Sequence, residues 1–188
     1  TDTKGSARLD FLRGKGVAAG DKDWRLENKF RYRQTMLGDI VDSDPFFVDY
    51  GDEDVIYVGA NDGMLHAFRA SDGKELFAYV PNALFPKLNA LADDGYVHRY
   101  YVDGSAVVKD IGTKKILVGT LRGGGQTVFA LDVTDPTNFG ASKVLWEYSH
   151  NDLGYTFSKP TIAKMGSDWV VVLGNGYNNT EADGSASI

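Results

Sequence analysis

The sequence predicts an all-β fold assembled from a repeated unit of four short antiparallel strands. One stretch, Val55 to Tyr79, already reads as three strands in a row. Its runs Val55–Gly59, Met64–Ala70 and Glu75–Val80 are β-branched and aromatic, and Asn61-Asp62-Gly63 and Ser71-Asp72-Gly73 supply the turns between them. The pattern also recurs. Ile116–Gly119 matches Ile56–Gly59 at an offset of 60, Ala130 matches Ala67 at 63, and Leu145 matches Leu76 at 69. Finally, 22 glycines against five prolines punctuate the chain as a turn-rich β protein requires. A three-stranded meander cannot bury both faces alone, so each unit must stack on a neighbour.

A leading strand precedes each meander, at Asp44–Val48, at Ser105–Val108 and at Lys159–Ala163, the last followed by Val170–Gly174. Four-stranded repeats with glycine-bounded strands, and an aromatic near the end of the last strand, are the pattern of β-propeller blades. The expected architecture is an incomplete β-propeller of about two and a half blades, near residues 37–80, 100–149 and 154–188, after an N-terminal arm over 1–36. Two and a half blades leave strand edges unpaired, so the natural protein is expected to continue past Ile188.

The arm reads as one helical turn at Leu9–Gly14, capped by Ser6, a mobile loop at Gly14–Gly20, and a basic-aromatic segment, Trp24–Gln34, lying over a neighbouring blade. Between the first two blades, Leu84, Leu88 and Leu91 stand 4 and 3 residues apart, which predicts a short amphipathic helix after Pro86, stopped by Asp93-Asp94-Gly95. The polar stretch Asn175–Ile188 reads as a long loop.

The bulk properties narrow the function. Hydrophobic residues make up 43% of the 188 and charged residues 24%, an ordinary globular composition. The net charge of −6 argues against a nucleic-acid partner, which would call for a basic stripe. There is no cysteine, so disulfides and thiolate metal sites are excluded. No apolar run approaches the length of a membrane span. The three histidines, His66, His98 and His150, are scattered, share no zinc spacing and suggest no pH switch.

Ala67–Phe77, AFRASDGKELF, resembles the tryptophan-docking repeat of quinoprotein-type propellers, with Arg69 in place of an Asp and Phe77 in place of the Trp. The second unit keeps Ala130-Leu131-Asp132 and Leu145-Trp146 but lengthens the turn between them. A wider resemblance runs from Leu37 to the end. The stretches LGDIVDSDP, VGANDGMLHAF, ELFAYVPNALFPKL, YYVDGS, VFALDVTDPTNF, LGYTFSKP and GNGYNNT are similar to the C-terminal β-propeller domain of the PilY/PilC family, the tip-associated biogenesis factors and adhesins of bacterial type IV pili. The resemblance implies a modified seven-bladed propeller that supports pilus extension against retraction and takes part in surface attachment. It also implies export to the pilus tip, outer membrane, cell surface or periplasm of a Gram-negative bacterium. The implied partners are pilin subunits or minor pilins at the tip and a host or surface receptor. The family's calcium loop, D-x-[DN]-x-[DN]-G, is not found in this sequence. Calcium is therefore implied for the complete family domain, and no cofactor is assigned to this chain.

No catalytic constellation stands out. Arg122-Gly123-Gly124-Gly125 lacks the Gly-Lys-Ser/Thr and the following helix of a phosphate loop and reads as a wide hairpin turn. Asp49, Asp52 and Asp54 crowd one turn without EF-hand spacing. The polar loop offers Asn175, Asn178 and Asp183 as weak metal candidates. Phe68, Phe77, Phe129, Trp146 and Tyr148 occupy strand positions and are expected in the core. Loops on a rigid scaffold are where propellers place binding residues, which nominates Phe85, Tyr96, Tyr100, Tyr177, Asn178 and Asn179 for partner contact. The expected function is non-catalytic: a binding and assembly module of the type IV pilus machinery. The alternatives are a fragment of a quinone (PQQ)-dependent dehydrogenase and a generic propeller scaffold of an outer-membrane complex.

Overall fold

A computed structural model describes residues 3–178. Two four-stranded antiparallel sheets follow one another along the chain. The first runs in the order β1 (Phe46–Val48), β2 (Val55–Ala60), β3 (Met64–Arg69), β4 (Glu75–Tyr79), and the second in the order β5 (Val107–Asp110), β6 (Lys115–Thr120), β7 (Val128–Asp132), β8 (Val144–Tyr148). A third sheet pairs β9 (Thr161–Met165) with β10 (Asp168–Val172). Strands in sequence order within each sheet, and sheets stacked in sequence order, are the arrangement of propeller blades, as the repeat predicts.

The core lies between consecutive sheets. Val55, Tyr57, Leu65, Ala67 and Tyr79 of the first sheet meet Leu117, Phe129 and Leu131 of the second, and Leu84, Leu88, Leu91, Tyr101 and Val102 of the connection close the same cluster. On its other face the second sheet turns Val118, Val128 and Ala130 toward Ile162 and Val171 of the third. Alternation along β6 and β7 thus feeds two different cores, which is why both strands are apolar at nearly every position.

The register corrects one part of the repeat. Ala67 lies opposite Tyr57 and Ala130 opposite Val118, and both sheets carry a bulge just after that alanine. Tyr57 and Val118 are therefore the equivalent residues, not Tyr57 and Leu117 as the Ile-x-Val-Gly match implies. The glycines of that match face opposite ways. A Cβ on Gly59 would overlap Val102, on the side of the second sheet, whereas one on Gly119 would overlap the Phe129 ring, on the side of the first. A slip of one residue turns every side chain to the other face, and the longer β6–β7 turn makes that slip invisible in the aligned letters.

The arm is more ordered than its sequence suggests. Helix α1 spans Gly5–Leu12 with Lys4, not Ser6, at the cap position, and no side chain caps it. In the glycine-rich loop Gly14 and Gly16 adopt positive φ, and the Gly16 amide donates to Asp21 at 2.9 Å, leading into α2 (Lys22–Glu27). The segment after α2 lies over the connection between the two blades rather than over a blade. Phe30 is buried against Phe11 and Ala92, the Arg31 amide donates to the Ala92 carbonyl at 3.1 Å, and Phe30 bridges to Asp93. The predicted helix in that connection is a 3₁₀ segment, Asn82–Ala92, which begins before Pro86 and contains it. Its buried face is the expected one: Leu84, Leu88 and Leu91 point inward and Phe85 outward.

Candidate binding face

The turns β2–β3 and β6–β7, the segment after β10 and the three connections that enter the sheets gather at one end of the stack. The β2–β3 turn behaves as its Asn-Asp-Gly chemistry predicts, with Gly63 at φ 93°. Its polar side chains work outward. The Asn61 side chain accepts from the Tyr101 amide at 3.0 Å and donates to Asp39 at 3.1 Å, while Asp62 accepts from the Gly38 amide at 2.7 Å. The β6–β7 turn is the wide glycine turn expected. A Cβ at Gly124 would overlap the Tyr101 carbonyl, so glycine is required for this close approach. The Gly124 carbonyl accepts from Lys87 at 3.0 Å. Arg122, at φ 50°, sends its guanidinium to Asp42 and Asp103 and covers the Phe157 ring at 4.7 Å. Thr156 ties the third sheet in, its hydroxyl accepting from the amides of Leu121 and Arg122 at 3.1 Å each.

Electrostatics at this end are paired and partly buried. Burial raises the Asp103 carboxyl above its usual range, against the opposing pull of the Asp42 amide and Arg122. His66 is buried between two carboxylates: its Nε2 is 3.1 Å from both Asp62 oxygens and its Nδ1 is 2.6 Å from Glu75 Oε1. Burial lowers the imidazole pKa, but Asp62 and then Glu75 outweigh it and raise the value overall. The sequence showed only scattered histidines; the pairing arises because β3 sets His66 beside its own turn and β4.

The predicted partner residues fall in three places. Phe85, Tyr100 and Tyr177 are exposed, and Tyr177 stacks on Phe157 with ring centroids 5.2 Å apart. Tyr96 is half-buried against the core rather than fully exposed, and the Arg31 guanidinium lies over its ring at 4.2 Å. Asn178 is exposed at φ 60°, and its carbonyl accepts from the Gln126 side chain. Asn175 donates to the Asp152 carbonyl at 3.1 Å. Asn179 and Asp183 lie outside the described residues. Among the described residues no three His, Cys, Asp or Glu side chains are placed to share a metal ion, and no helix is long and apolar enough to cross a membrane. The acidic turn is organised by its own amides, Asp49 accepting from Gly51 at 2.7 Å and Asp54 from Tyr50 at 3.1 Å. Two expected core aromatics are exposed instead, Trp146 at 40% and Tyr148 at 52%.

Comparison with known proteins matches this architecture. The family model of the PilY1 β-propeller domain covers residues 37–187. A type IV pilus biogenesis factor PilY1 of Pseudomonas aeruginosa strain UCBPP-PA14 is 42% identical over 95% of this chain, and a PilY1 homolog of Xylella fastidiosa is 41% identical over 92%. The chain spans 17% and 16% of those relatives. The crystal structure of the Pseudomonas aeruginosa PilY1 C-terminal domain superposes with a TM-score of 0.54 at 46% identity, over 69% of this chain and 26% of that one. With a family model over most of its length, and relatives 42% and 41% identical over 95% and 92% of it, the chain belongs to the PilY1 β-propeller family.

Proposed function

We propose that the chain serves as a non-catalytic binding and assembly module of the type IV pilus machinery. In this reading it supports pilus biogenesis and extension, and through them twitching motility and attachment to surfaces or host cells. The observation that carries the reading is the family match over residues 37–187, joined to a loop end rich in exposed aromatic side chains and braced by buried pairs. Phe85 and Tyr177 stand on fixed supports: Phe85 on the face of a 3₁₀ segment whose leucines are in the core, Tyr177 on Phe157 and Tyr155. Rigid aromatic anchors of this kind carry much of the energy of protein interfaces. The partners that fit are pilin or minor pilin subunits at the pilus tip and a surface or host receptor, reached at the cell surface.

The test uses a full-length family protein carrying Phe85→Ser, or paired changes at Asn178 and Asn179. Motility and attachment should fall while protein level and fold are unchanged. Wild-type piliation, motility and attachment in both variants would place the working surface elsewhere.

A further inference from the structure

A cavity of about 400 Å³ opens between the segment Arg31–Asp39 and the β2–β3 turn, with Leu91 and Tyr96 completing its wall. Two arginines line it. Arg33 is only 9% exposed, and its Nε is, among the described residues, the one buried side-chain nitrogen or oxygen without a hydrogen-bond partner. Its terminal nitrogens donate to the carbonyls of Phe11 and Met36, which fixes the guanidinium without neutralising it. Arg31 donates through Nε to the Leu91 carbonyl at 2.6 Å and sits over the Tyr96 ring at 4.2 Å, and its terminal nitrogens make no hydrogen bond among the described residues.

Neither guanidinium has an ion-pair partner among the described residues, although two carboxylates line the same cavity. Asp62 is taken by His66 and the Gly38 amide. Asp39 is taken by His98 at 2.7 Å and by Asn61. Two arginines side by side, one of them buried, thus make no direct ion pair among the described residues, and Asp62 offsets their charge only through its field, an arrangement that an anion would relieve. Burial, and then the charge of Arg31, bring the Arg33 pKa down to about 10 against the opposing pull of Asp62, so the nearby carboxylate makes up only part of what burial removes.

We propose that this cavity binds an oxyanion, a carboxylate or phosphate group, with Arg33 and Arg31 as its ligands. A guanidinium presents planar paired N–H donors that match such a group, and both here are held in place by carbonyls and aromatic rings before any ligand arrives. The cavity is larger than one phosphate, so it also admits the end of a side chain or a chain terminus bearing the anion.

The experiment follows the arginine Nε–H resonances of the 188-residue chain by NMR during separate titrations with inorganic phosphate and with acetate, at ionic strength held constant with chloride. The expected result is a saturable displacement of the Arg33 Nε–H signal by at least one of the two. Arg31→Gln should weaken the apparent affinity by about tenfold, the effect of losing one charge-assisted hydrogen bond, and Arg31→Lys should recover part of it. Saturation by phosphate alone assigns a phosphate-bearing ligand, and saturation by both assigns the wider oxyanion class; each sustains the proposal. No displacement beyond that in chloride, or equal midpoints for the wild type and Arg31→Gln, overturns it.

Discussion

The first two sheets are copies of one unit, and the same position in each has a different fate. Phe77 lies opposite Ala67 and Trp146 opposite Ala130, so the two aromatics are equivalent in register. Phe77 packs into the core and stacks on Phe139 with ring centroids 3.8 Å apart. Trp146 is 40% exposed. The covering ring belongs to the next unit: Phe139 sits in the connection between β7 and β8. Among the described residues the third sheet has only β9 and β10, so nothing equivalent to Phe139 reaches Trp146. Burial of the docking aromatic is therefore a property of the following blade rather than of the strand that carries it. A second contrast is chemical. His66 and Phe129 hold equivalent places on β3 and β7, each next to the alanine before the bulge. Phe129 faces the first sheet and is fully buried among apolar side chains. His66 faces away from the second sheet, where Asp62 and Glu75 meet it.

The largest expected effect separates the two aromatics. Phe77→Ala should destabilise the chain by about 3 kcal/mol, the lower end for removing a core aromatic, because its ring is not fully buried. Trp146→Ala should cost about 1 kcal/mol or less. Urea unfolding of both variants measures the difference, and equal losses would break the comparison. A double-mutant cycle sharpens it. Phe77→Ala and Phe139→Ala should couple by about 1 kcal/mol, as stacked aromatic pairs do, whereas Trp146→Ala and Phe139→Ala should be additive.

The His66 contrast predicts a pH dependence. The folded-state pKa is raised above that of the unfolded chain, about 6.5. The stabilisation is then fully present below that value and is lost as pH rises through the folded one. Unfolding midpoints of the wild type should fall relative to His66→Gln as pH rises from about 6 upward. A constant gap between the two would show that His66 is held neutral. The smallest effect belongs to Phe85→Ser, which should change stability by about 0.5 kcal/mol or less, since its ring is exposed. A larger loss would mean that the 3₁₀ segment depends on this ring for packing and that Phe85 is not free for a partner.

Much of the candidate face was legible before folding. Asn61-Asp62-Gly63 announced a tight turn, the leucine spacing announced the buried stripe that leaves Phe85 outside, and the glycine run announced a wide turn. The oxyanion cavity was not legible, because Arg31 and Arg33 sit in a basic-aromatic segment that also reads as a solvated arm. The packing of Phe30 on Phe11 and Ala92, together with the Leu91 and Phe11 carbonyls, brings the two guanidinium groups against the β2–β3 turn.

The sequence by itself determined the repeated four-stranded unit, the strand positions, the match of Ala67 with Ala130 and the family. The unit and its strands are written in local periodicity and turn chemistry, which act over a few residues, and the family in the resemblance of its motifs. Tertiary structure alone decided the one-residue register offset between the two sheets and which docking aromatic is covered. It also decided that His66 is caught between two acids while Arg31 and Arg33 make no ion pair among the described residues. Those outcomes depend on which face of a strand meets which neighbour, and pairing and stacking over tens of residues set that, beyond the reach of any local pattern.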